Sequence, residues 1–117
     1  MEPNRLVKIN DNVTYEIKYT NRAKALLENL ENKEVTKVIG DIVDKFGSVK
    51  IETAVNVIYA GVKYSDDGKK INRDDLYDII PESAIELSRI MGEISGVLLY
   101  DCGFTKAKEK EEVSEGK

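Results

Sequence analysis

Any chemistry in this chain has to come from carboxylates, lysines or a single thiol. The 117 residues include no histidine, no tryptophan and one cysteine, Cys102. Histidine is the usual general base near neutral pH and the commonest metal ligand, so the ordinary catalytic and metal-binding kit is missing. Cys102 stands between Asp101 and Gly103. A neighbouring carboxylate raises a thiol pKa, and no imidazole is present to activate the sulfur. A lone cysteine makes no internal disulfide and fits a reducing compartment. Asp74, Asp75 and Asp78 are grouped, but acidic residues in the first turn of a helix favour its dipole and need no chemistry. Ser65 to Lys70 superficially resembles a calcium loop. With Gly68 at the turn position, however, Lys63 falls on the first ligand position and Asp74 where a bidentate Glu is usual. A lysine cannot serve there, and a solvated turn explains the segment. These residues predict a non-enzymatic protein with no metal and no cofactor.

The spacing of small residues near the C-terminus is more informative. Ser88, Gly92, Ser95, Gly96 and Leu99 lie at i, i+4, i+7, i+8 and i+11, which places them on one face of a helix. Two glycines inside a helix each cost ~1 kcal/mol against alanine, so a packing or functional gain should offset them. One reading is close packing on another helix of the same fold. The other is a partner-binding groove, which self-association into a homo-oligomer would also use. Arg89 and Glu93 within the segment exclude the membrane version of this motif.

Composition narrows the partners. The net charge is −4, with 41% hydrophobic and 34% charged residues. An acidic chain repels phosphate backbones, so the expected partners include no nucleic acid, although Lys63, Lys69, Lys70 and Arg73 form a local basic cluster. Met1 to Ile9 has no apolar core of the kind a secretory leader needs. The longest apolar run is too short for the ~20 residues that span a bilayer, so no membrane is expected either.

The elements that must carry that small-residue face follow from periodicity. Arg5 to Ile9 and Val13 to Tyr19 read as two strands. In the second, Val13, Tyr15, Ile17 and Tyr19 alternate with Thr14, Glu16 and Lys18, the period of a half-buried strand. Asn10-Asp11-Asn12 supplies turn chemistry between them. Asn21 is the expected cap of a helix reaching about Leu30. A second helix is expected from about Lys33 to Phe46, stopped by Gly47. Ser48 to Tyr64, SVKIETAVNVIYAGVKY, is apolar nearly all round and reads as the buried central helix, with Ser48 as its start signal. Asn72, with Asp75 three residues on, marks another helix start. Leu76, Ile79 and Ile80 are its apolar positions, and Pro81 ends it or opens the next. Leu87, Ile90, Met91, Ile94, Val97 and Leu98 form the inner stripe of a last helix ending near Tyr100. From Thr105 the chain is charged and nearly devoid of apolar residues, which predicts disorder. The expected fold is α+β and mostly α: an N-terminal β-hairpin packed on a bundle of about five helices. The single globular domain is residues 1–104, and 105–117 form a disordered charged tail.

This layout resembles a known family. The hairpin VKINDNVTYEIKYT runs into the helix NRAKALLENLE, an amphipathic helix ends in FG, and an apolar helix contains VIYAGVKY. The pattern is similar to the small tail assembly chaperones of long-tailed, siphovirus-like bacteriophages and prophages of Gram-positive bacteria. The resemblance covers about Leu6 to the C-terminus. Its most specific parts are Val7 to Leu30 and Ile58-Tyr59-Ala60-Gly61-Val62, all ordinary residues. It implies a non-catalytic protein in the bacterial host cytoplasm that keeps the tape-measure protein soluble, helps recruit tail-tube subunits and is absent from the mature virion. Many such proteins are also made in a longer, frameshifted form. The family has no catalytic residues to carry over. The competing expectation is a structural head–tail connector or tail-completion subunit of the virion.

Overall fold

The computed structural model describes residues 2–45, 48–65 and 71–104. It shows a two-stranded antiparallel hairpin followed by five α-helices. Strand β1 is Leu6–Asn10 and β2 is Val13–Glu16, paired from Leu6 with Glu16 to Asn10 with Val13. Asn10 closes the turn as expected of its side chain, whose oxygen accepts from the Asn12 N–H at 2.7 Å. The ladder proper stops at Glu16 rather than Tyr19. The next residues turn to the helices instead: Ile17 N–H still donates to Arg5 O, but Lys18 N–H donates to Gly61 O at 2.9 Å. Val7, Ile9, Ile17 and Tyr19 are buried on the inner face. A lone hairpin is marginal in water, and this one is secured by being laid on a helix.

The helices are α1 (Asn21–Glu31), α2 (Val35–Asp44), α3 (Ile51–Lys63), α4 (Leu76–Ile79) and α5 (Ala84–Asp101), with a 3₁₀ turn at Arg73–Asp75 before α4. Several ends differ from the sequence expectation. Thr20, not Asn21, caps α1 by accepting from the Ala23 N–H. A β-branched hydroxyl does the capping, and Asn21 is already helical. Asn32 ends α1 in the left-handed conformation, φ 57°, so α2 starts at Val35 rather than Lys33. The Ser48 side chain does not cap α3. Its backbone N–H closes a turn onto Lys45 O, and α3 begins only at Ile51, after an extended Lys50 with no side-chain cap. Asn72 does cap its turn, accepting from the Asp74 N–H at 3.0 Å. Pro81 terminates α4, since the residue before a proline is pushed out of the helical region and Ile80 is extended at ψ 148°. Ser83 then caps α5.

The core is organised around α3. Ala54, Val55, Val57, Ile58, Ala60 and Val62 are all at most 1% exposed, matching the helix expected to be covered on most sides. All six residues of the predicted α5 stripe, from Leu87 to Leu98, are buried. The expected tail, 105–117, and the Gly68 turn lie outside the described residues, as does the predicted end of α2 at Phe46 and Gly47.

Gly61 is where hairpin and α3 meet most closely. A Cβ built there would stand 2.8 Å from Ile17 Cγ2 and 2.9 Å from the Tyr19 ring and hydroxyl. The Tyr19 hydroxyl donates to Val57 O at 2.7 Å, which satisfies a phenol that burial holds in its neutral form, with its pKa well above the usual value.

Candidate partner-binding surface

α5 carries the small-residue face, and its ends are fixed by polar contacts. At its C-terminus, Asp101 takes a fork of two hydrogen bonds from Arg5, at 2.7 and 3.0 Å, and a third from the Tyr19 N–H at 2.8 Å. Lys24 donates to the Asp101 carbonyl at 2.8 Å. A bidentate guanidinium–carboxylate pair fixes orientation as well as distance. The Arg5 and Asp101 side chains are only 15% and 10% exposed, and this contact raises the already high Arg5 pKa. Nearer the N-terminus, Arg89 pairs with Glu86 and Glu93 and reaches Lys8 O at 3.3 Å. The helix is therefore tied to the hairpin along its charged flank and packed on the core through its apolar stripe.

Its third face is open. Among the described residues, and apart from the adjoining turns of α5 itself, no atom stands within 4 Å of a Cβ built on Gly92 or Gly96. Among the described residues neither glycine serves close packing, and none there offsets its cost in helix propensity. Gly92 is exposed, while Ser88, Ser95, Gly96 and Leu99 are half-buried. The Ser95 hydroxyl turns back onto Gly92 O at 2.9 Å, so it adds no outward polar group to the face. The five residues are thus on one helix side, but not in one pocket. Ser88 lines a cleft against Ser48, Val49 and Ile51, whereas Leu99 lines a separate groove beside α2.

That groove was not legible in the sequence. It holds about 320 Å³ and lies between Ile39, Gly40 and Val43 of α2 and Leu99 of α5, with Phe104 at one end. A Cβ built on Gly40 would likewise meet no other element within 4 Å. Val43 and Phe104 are each 46% exposed. In α2 the apolar residues at helical spacing are Val35, Val38, Ile39, Ile42 and Val43, of which Val38, Ile39 and Ile42 are buried. Val43 shares their spacing, but it sits one residue past Ile42 and rotates outward.

Cys102 is half-buried, and burial is the largest cause of its raised thiol pKa. Lys24 opposes that shift, and Asp101 adds to it only as a lesser cause. Arg73, taken as part of a basic cluster, is engaged inward. Its Nε donates to the buried Asn56 at 2.8 Å, and Asn56 donates to Glu31 at 2.6 Å. Asp74, Asp75 and Asp78 are exposed around the start of α4. Among the described residues no group of three or more ligating side chains is placed to hold a metal ion, and no helix is long and apolar enough to cross a membrane. Comparison with protein-family models, curated proteins and solved structures finds no match.

Proposed function

We propose that this protein is a non-catalytic tail assembly chaperone. It binds the tape-measure protein of a long-tailed phage or prophage in the host cytoplasm, keeps it soluble and helps recruit tail-tube subunits. The observation that carries the reading is the open face of α5, where Gly92 and Gly96 leave room for a second helix backbone. Close approach adds dispersion contacts without ordering long side chains, which suits a client that must later be released. The adjoining groove beside Val43, Leu99 and Phe104 supplies apolar surface of the kind a holding protein needs.

Gly92→Leu and Gly96→Leu fill the face without touching the core, so both variants fold. Co-expressed with a tape-measure protein, they are expected to lose co-purification, and the client to become insoluble. Folded variants that still hold it soluble would remove the face from the account. Finding the protein as a stoichiometric component of purified particles would favour the structural-subunit reading instead.

A further inference from the structure

We propose that residues 73–80 are a strap across α3, latched by Asn56, that opens as one unit while the rest of the domain stays folded. Among the described residues Asn56 is the one polar side chain buried in the core. Its amide has a partner at each end. The oxygen accepts from Arg73 Nε at 2.8 Å, and the nitrogen donates to Glu31 at 2.6 Å. A guanidinium only donates and a carboxylate only accepts, so the partners fix the orientation of the amide. Thr53 donates to the other Glu31 oxygen at 3.1 Å. A leucine at position 56 would fill an apolar core with no need of partners, whereas a buried amide costs free energy unless it is bonded. The asparagine therefore serves the tie from α1 through α3 to the strap, and its burial is satisfied only while Arg73 is in place.

The strap does not hold itself. A single helical turn is unfavourable alone, and α4 is four residues long. It and the 3₁₀ turn before it both pack on α3. Their apolar seats are Leu76 and Ile80, both buried. Polar ties close the two ends. At the first, Arg73 bonds Asn56 with its guanidinium over the Tyr77 ring, 6.0 Å from the centroid. At the second, Asn10 Nδ2 donates to Ile79 O at 2.8 Å. When the strap lifts, water takes over these polar bonds, so opening forfeits their net worth and two apolar seats but leaves the core packed. The lifted state bares Leu76, Ile80 and the Asn56 face of α3, surface that the closed protein hides. The inference is independent of the client reading, because no client enters its test.

Native-state hydrogen exchange of the full chain, read amide by amide by NMR, tests the strap. The Leu76 N–H donates to Arg73 O and Asp74 O, and the Ile80 N–H to Leu76 O. Both should exchange faster than the Val57 and Ile58 amides within α3. Ile42→Val lies in α2, which packs on α1 and α5. It should speed the α3 amides several-fold and leave Leu76 and Ile80 unchanged, because lifting the strap does not break the core there. Arg73→Met leaves the Asn56 oxygen buried without a donor only while the strap is closed. It should speed Leu76 and Ile80 by the same factor, about 10–100-fold for a lost charged hydrogen bond. The proposal is overturned if Leu76 and Ile80 keep pace with α3 in the wild type, or if Ile42→Val speeds them along with the core. It is overturned as well if Arg73→Met leaves both amides unchanged, or if it moves Leu76 without Ile80, the mark of local fraying.

Discussion

Two glycines inside helices should respond to alanine with opposite signs. Gly96 faces open space, so Gly96→Ala recovers up to ~1 kcal/mol of helix propensity with nothing to displace. Gly61→Ala recovers the same amount but drives a methyl to 2.8 Å from Ile17 and 2.9 Å from Tyr19. Both neighbours are at most 2% exposed, so neither can swing into solvent. Overpacking of this kind costs about 1–3 kcal/mol. Moving the Tyr19 ring also strains its bond to Val57 O, worth about 0.5–1.5 kcal/mol. The net expectation is a loss of about 1–3 kcal/mol for Gly61→Ala against a gain of up to ~1 for Gly96→Ala. For a domain of this size each kcal/mol moves the thermal midpoint by roughly 4–8 °C. Urea titrations followed by circular dichroism measure both. If Gly61→Ala is as stable as the wild type, the close seat of the hairpin on α3 is wrong. If Gly96→Ala loses stability as Gly61→Ala does, the open face is wrong.

Three further outcomes are expected. Val57→Asp places an unpaired charge at a fully buried site of α3, which costs several kcal/mol; far-UV circular dichroism should show an unfolded chain. Asp101→Ala strands Arg5 and the Tyr19 N–H, for a loss of about 2–4 kcal/mol given the residual exposure of the pair, and Arg5→Lys should also destabilise the otherwise wild-type protein because an ammonium cannot form the fork. Cys102 should alkylate more slowly than a free thiol at neutral pH, and its rate should keep climbing at pH values where a free thiol has levelled off, because burial favours the protonated form; iodoacetamide labelling followed by mass spectrometry reads both.

Periodicity carried most of the fold. The odd residues of the hairpin, the all-round apolar α3 and the α5 stripe all fall where a period of 2 or 3.6 puts them. Helix starts were harder to read, because capping depends on backbone angle as well as residue type. Ser48 and Asn21 are good capping residues, yet each is a few positions or a single position out of place. Long-range polar contacts had no sequence signal. Nothing marks Asp101 as the partner of Arg5, 96 residues away, or Asn56 as the link between Glu31 and Arg73. A buried asparagine in an apolar helix is silent until its partners are known.

The open face and the fixed ends of α5 are connected. A helix that leaves a third of its surface bare gains less from burial than one covered all round, so something else must hold it in place. Its apolar stripe is fully buried, but the charged flank does more than keep it wet. Arg89 reaches the hairpin at Lys8 O, and the Asp101 cluster ties the other end to Arg5, Tyr19 and Lys24. Both anchors join α5 to the hairpin. If the open face is the client's seat, docking there leaves the Asp101 anchor in place and offsets the cost of the two glycines in helix propensity.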